Sequence, residues 1–168
     1  MAKLTVSARN GYKFEEEVLR RSSEGMINRK PQFLEFRQAI SEASARQPQK
    51  WDVRDPPTLL GSALFESVLE GLPSWLKKGL RLFVATGTAL DYYHGIDGFF
   101  ALNEGNILLD VPFDLSIEPH PGKNPNVEFV ITKADFEDEE KLAELGRRIA
   151  ARLAERREWA EKNNLLPR

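Results

Sequence analysis

The sequence predicts an α+β protein in one domain, with a small mixed or antiparallel β-sheet flanked by helices. Three observations carry this reading. Apolar residues recur with a helical period over much of residues 1–79. From residue 80 the pattern changes to short apolar runs rich in strand formers, and residues 136–162 return to a helical stripe. At 168 residues the chain has the size of one ordinary domain and buries a core without disulfide or metal staples. We therefore read 1–168 as a single domain: 1–79 mostly helical, 80–135 the sheet, 136–162 a long C-terminal helix.

The first predicted helix covers residues 11–23, GYKFEEEVLRRSS. Phe14, Val18 and Arg21 share one face. Glu15, Glu16 and Glu17 lie early, where the helix dipole favours negative charge. A second helix is predicted over 33–45 after Pro31, with Phe33, Phe36 and Ile40 on one side. Residues 46–57 hold Gln, Pro, Trp and Asp in no period and read as a loop. The third helix, 58–71, repeats Leu60, Leu64 and Val68, and Gly71-Leu72-Pro73 stops it. Ser74 begins one more turn through Lys78, ended by Gly79.

The run 80–88, LRLFVATGT, is the first predicted strand, and 95–102, GIDGFFAL, the second. The tetrapeptide Asn103-Glu104-Gly105-Asn106 then leads into ILLDVPFDLSI, 107–117, which makes these two runs a hairpin. Pro112 lies inside the second run and predicts an edge strand, a bulge or a break. Residues 118–126 hold three prolines and read as a loop, and 127–135, VEFVITKAD, as a further strand. Along the last helix, Leu142, Leu145, Ile149, Leu153 and Trp159 mark the apolar side. Arg147, Arg148, Arg152, Arg156 and Arg157 occupy the remainder. Such an arginine run is a solvated face laced with Glu–Arg pairs, or it touches phosphates. Arg147, Arg148 and Arg152 are the candidates for nucleic-acid contact.

Composition excludes several chemistries. The chain has no cysteine, so it carries no disulfide scaffold, thiolate metal site or cysteine nucleophile, and it fits a reducing cytoplasm. Its only histidines are His94 and His120, too few for a multi-histidine metal site. No apolar run approaches the ~20 residues that span a bilayer, and the N-terminal stretch has no signal-peptide core. With Lys+Arg 24 against Asp+Glu 26 the net charge is −2, so a nucleic-acid site would have to be a local patch.

The chemistry concentrates in DYYHGIDGFFALNEGNILLDVPFDLSI. Asp97 opens one apolar strand of the hairpin, and Asp110 follows two leucines on its partner. A carboxylate in an apolar sheet is costly unless compensated. Two nearby carboxylates repel, and a hard cation such as Mg²⁺ or Mn²⁺ removes the repulsion. Such an ion is also the machinery of phosphodiester hydrolysis. The plainer alternative for Asp97 is a strand-end aspartate bonded to a turn backbone. Glu15 is most simply a helix-terminus charge, and Asp114 a solvent-facing one. His94 is a general base or a hydrogen-bonded loop histidine. Tyr92, Tyr93, Phe99 and Phe100 read as core.

A helix bearing Gly11, Phe14 and Glu15, a following strand bearing Gly95-Ile96-Asp97, and a second acid 13 positions on resemble the core of the PD-(D/E)XK nuclease superfamily. The resemblance covers about residues 11–23 and 88–135. It implies a restriction-endonuclease-like core in which Glu15, Asp97 and Asp110 bind one or two divalent metals. The family places a lysine two positions after the second acid. Here that position is Pro112 after Asp110, or Ser116 after Asp114, so the cation would come from Lys133 on the next strand or from Lys123. The family's helix between its third and fourth strands has no room in 118–126. The expectation is a metal-dependent, nuclease-like protein acting on DNA or RNA. The alternative is a catalytically inactive protein of similar fold that serves as an interaction or assembly module.

Overall fold

The computed structural model describes residues 6–20, 30–122 and 124–167. Arg21, at the end of the first predicted helix, and the candidate Lys123 lie outside the described residues. The chain order is α1 (Val6–Val18), α2 (Phe36–Ala45), α3 (Leu59–Gly71), β1 (Leu80–Val84), α4 (Ala89–His94), β2 (Gly98–Glu104), β3 (Ile107–Ser116), β4 (Phe129–Thr132) and α5 (Glu139–Lys162). The four strands form one mixed sheet in the order β1-β2-β3-β4. β1, β2 and β3 run antiparallel, and β4 lies parallel to β3. The α+β class is thus as the sequence predicts, and no helix among the described residues is long and apolar enough to cross a membrane.

Because successive side chains alternate across a strand, each strand feeds two cores. Leu82, Phe100, Val111, Phe113 and Ile131 point to one side, where they meet α1, α3 and α5. Phe83, Phe99 and Ala101 point to the other, against Ala39, Ile40 and Ala43 of α2 and Leu90 of α4. Burial on both faces explains why LRLFV and GFFAL read as continuous apolar runs rather than as alternation.

Several predicted boundaries move for identifiable reasons. α1 begins at Val6, before the predicted Gly11, and α2 begins at Phe36. α3 starts at Leu59, with the predicted first residue Thr58 as its N-cap. Thr58 Oγ1 accepts from Gly61 N at 3.1 Å and donates to Val18 O at 2.6 Å, tying the start of α3 to the end of α1. β1 stops at Val84, and residues 89–94, between the two predicted strands, form α4. Asp91 in its first turn accepts from Gly87 N at 2.8 Å, and Gly95 ends it with a φ of 66°. β4 ends at Thr132 rather than running to residue 135, because the Asp135 carboxylate accepts from Thr132 N at 2.8 Å and turns 133–136 into a 3₁₀ helix. Asp138 then caps α5.

Pro112 sits neither at an edge nor at a break. β3 is a central strand, paired with β2 through Phe113 and with β4 from Phe113 onward. Pro112 O accepts from Glu128 N at 3.1 Å, so its missing N–H faces the β4 side, where the parallel ladder has not yet begun.

The loop 46–57 covers the outer edge of β1. Leu82 N donates to Val53 O at 2.8 Å, and Leu82 O accepts from Trp51 Nε1 at 2.9 Å. The Gln47 amide then bonds both sides of Val84, accepting from its N at 2.8 Å and donating to its O at 3.0 Å.

Helices α3 and α5 cross at Gly146. A Cβ there would stand 2.3 Å from Ser67 O, so only glycine permits this approach. Gly146→Ala should force the helices apart and lower the urea unfolding midpoint, at a cost of about 1–3 kcal/mol as for other overpacked cores. An unchanged midpoint would show that the crossing relaxes freely.

Candidate functional site

Asp97 is fixed by backbone on both sides of its strand. Its N donates to Phe113 O at 3.1 Å, and its O accepts from Ala85 N at 2.8 Å. Gly98 follows it because a Cβ there would stand 2.7 Å from the Phe113 ring and 2.9 Å from Phe83 O. The Asp97 side chain is 3% exposed, and its Oδ2 accepts from Leu115 N at 2.8 Å. Its carboxyl also hydrogen-bonds that of Asp114, on the neighbouring strand.

Three more groups gather around this pair. Glu15 comes from α1, Asp91 from α4, and His120 from the loop after β3. Burial, then the charges of Asp91, Asp114 and Glu16, push the Glu15 carboxyl from 4.5 up to about 7. Asp97 is raised well above the ordinary aspartate value, first by burial, then by the hydrogen bond to Asp114, then by the charges of Glu15, Asp91 and Asp114. Both burial and the neighbouring carboxyls thus favour the protonated form of Asp97. His120 Nε2 lies 3.3 Å from Asp114 Oδ2, while its Nδ1 lies 2.8 Å from Pro121 O. Both ring nitrogens therefore face oxygen.

Glu15 and Asp97 thus interact, and the acid of β3 that acts on both is Asp114, while Asp110 is not among the groups that do. Asp110 pairs in register with Ala101, further along the hairpin, and forms an ion pair with Arg37. Its partner is thus an arginine of α2. Lys133 also departs from expectation. It lies past the end of β4 in an exposed 3₁₀ turn, and it is not among the groups that act on Glu15 or Asp97. His94 is a buried structural histidine, its Nε2 2.9 Å from Leu34 O.

The arginines of α5 are largely spent on carboxylates. Arg147 pairs with Glu144 at 2.9 Å, and Arg152 with Glu128 at 3.0 Å and Glu155 at 2.9 Å. The Arg148 guanidinium lies over the Phe129 ring. His120 and Asp91 were missed as members of the site. Asp91 carried a signal, three residues after Thr88 in the manner of a helix start; His120 carried none.

The carboxyl oxygens of Glu15, Asp91, Asp97 and Asp114 are hard donors, which suit Mg²⁺ or Mn²⁺. Among the described residues, however, no three acidic or imidazole side chains stand so as to close around an ion without moving. Fold and site together define an α+β protein with a buried carboxyl cluster where its antiparallel hairpin meets the parallel strand. Compared with known families, curated proteins and solved structures, the chain matches none.

The raised carboxyls have a stability consequence. Each folded-state value exceeds the unfolded one, so folding takes up protons in between. The contribution of Glu15 is fully present below its unfolded value near 4.5 and is lost as pH rises through about 7. Glu15→Gln and Asp97→Asn should therefore raise the melting temperature more at pH 8 than at pH 5. Variants that track wild type in parallel across that window would contradict the assignment.

Proposed function

We propose that this protein is a metal-dependent phosphodiesterase of nuclease type, acting on DNA or RNA. The observation that carries the reading is the convergence of Glu15, Asp97 and Asp114 from one helix and two adjacent strands. These are the elements from which the PD-(D/E)XK resemblance would draw its ligands. In this reading Glu15, Asp97 and Asp114 would hold Mg²⁺ or Mn²⁺, whose chemistry there is to make a water nucleophilic and offset phosphoryl charge. Asp97 is the fixed member, held by Leu115 N. Glu15 and Asp114 are half-buried, and their movement would complete the set. His120, whose Nε2 lies 3.3 Å from Asp114 Oδ2, is the basic side chain that would take the lysine's part in this reading. We place the cysteine-free chain in a reducing cytoplasm.

The alternative, a non-catalytic module of similar fold, is favoured by Ser116 standing where the resemblance calls for a lysine. Labelled single- and double-stranded substrates, with and without Mn²⁺, decide between the two. A nuclease should cleave only with metal. Asp97→Ala and Asp114→Ala should each abolish cleavage, His120→Ala should reduce it on the order of 10²-fold, and Lys133→Ala should leave it unchanged. In wild type, millimolar Mg²⁺ should also raise the melting temperature by mass action. A folded protein that neither cleaves nor responds to the ion is the interaction module.

A further inference from the structure

The sequence places Tyr92 in the core with Phe99 and Phe100, but only the two phenylalanines are buried; Tyr92, on α4, is 58% exposed. Phe33, in the segment before α2, is 59% exposed. Tyr93 stands between the two. Its ring centroid lies 5.1 Å from that of Phe33 and 4.8 Å from that of Tyr92, edge to face in both cases. Phe36 continues the group through His94, with centroids 5.8 Å apart. Single exposed aromatics are ordinary on a protein surface, whereas a contiguous group of them marks a face that meets something.

These rings are fastened in place. Tyr93 Oη donates to Pro31 O at 2.7 Å, and His94 Nε2 lies 2.9 Å from Leu34 O. The two contacts tie residues 31–34 to α4 on either side of Phe33. Tyr93 meets both of its neighbours edge to face, so it does not use up their stacking surface in a face-to-face pair. A fixed aromatic surface loses little conformational freedom when a flat group lands on it.

Cations border the rings. Lys30 Nζ lies 5.6 Å from the Tyr92 centroid and 5.9 Å from that of Tyr93. The Arg37 guanidinium lies 5.0 Å from the Phe36 centroid while it also pairs with Asp110. An apolar protein partner would have to bury the Lys30 ammonium against the rings, which is costly. A nucleic-acid strand brings a phosphate to that charge, and its bases have flat faces for the rings. A duplex keeps its base faces stacked on one another and offers phosphates alone. The combination of open rings and a cation therefore fits an unpaired strand. Its place in the fold agrees, because Asp91, the residue before Tyr92, is one of the carboxylates that act on Glu15 and Asp97.

We propose that Phe33 and Tyr92 form a stacking platform for the unpaired bases of single-stranded nucleic acid, with Lys30 at the backbone phosphate. The inference rests on the phosphodiesterase reading and narrows its substrate to single strands. Every base has a flat face, so the platform distinguishes unpaired from paired bases and not one base from another.

Fluorescence anisotropy of the full-length protein tests it, with a labelled oligothymidylate and a labelled duplex of equal length in metal-free buffer. The single strand should bind on the order of 10-fold tighter than the duplex. Tyr92→Leu and Phe33→Leu should each weaken single-strand binding on the order of 10-fold and leave duplex binding unchanged, whereas Tyr92→Phe, which keeps the ring, should bind like wild type. Lys30→Gln should reduce the salt dependence of binding to both. Circular dichroism checks each fold, and if one leucine variant fails to fold the other suffices. Equal affinity for the two substrates, or single-strand binding that survives a folded leucine variant, would overturn the inference. No binding of either would overturn it too and leave the rings to a protein partner. Metal-dependent cleavage of duplex as fast as single strand would overturn the inference while leaving the phosphodiesterase reading intact. Ring-dependent binding of the single strand with no cleavage in Mn²⁺ would do the reverse.

Discussion

Gly105 adopts a φ of 67°, and that positive value lets Glu104 pair directly with Ile107 across a two-residue turn. The register of β2 against β3 follows from it: Ala101 opposite Asp110, and Gly98 opposite Phe113. A slip of one residue would move every side chain of one strand to the opposite face. The phenylalanines that divide between the two cores would change sides, and Asp97 would no longer meet Asp114. The position of the parallel fourth strand, which joins β3 from Phe113 onward, depends on the same register.

Within that frame the sheet buries two aspartates and treats them oppositely. Asp110 is 2% exposed and Asp97 3%. Asp110 meets the guanidinium of Arg37. Asp97 meets a backbone amide and another carboxyl, so it is driven to keep its proton. The first arrangement ties β3 to α2 through one ion pair between residues far apart in the chain. The second suits chemistry near neutral pH, because protons there change hands easily.

Long, strongly periodic elements could be read from the residues. The stripe Leu60, Leu64, Val68 defines α3, Leu142 through Leu153 lies along α5, and the Gly- and Asn-containing turn marks the hairpin. The misreadings have local causes. α4 has six residues, too few to display a period, and it hides between two strand-like runs. Lys133 looked like a strand residue because a side-chain bond from Asp135, rather than any break in hydropathy, ends β4. Asp110 was preferred to Asp114 because both sit on the same strand four residues apart, and sequence spacing does not say which one lies opposite Asp97. The pairing of Asp110 with Arg37 joins residues 73 positions apart, and nothing local announces it.

Among the β1 backbone groups bonded from outside the sheet, those of Leu82 and Val84 are met by Trp51, Val53 and Gln47. Much of that bonding is done by side chains that imitate a strand without being one. A foreign strand approaching this edge would have to displace an indole and an amide already seated in the core wall, so the sheet does not offer it a template for self-association. Growth of the sheet by an added strand, from another copy or from an extended peptide, is thereby directed to the far side, where β4 offers only Phe129–Thr132. The protein thus guards one border of its sheet with a loop of no recognisable secondary structure, and keeps the other border short.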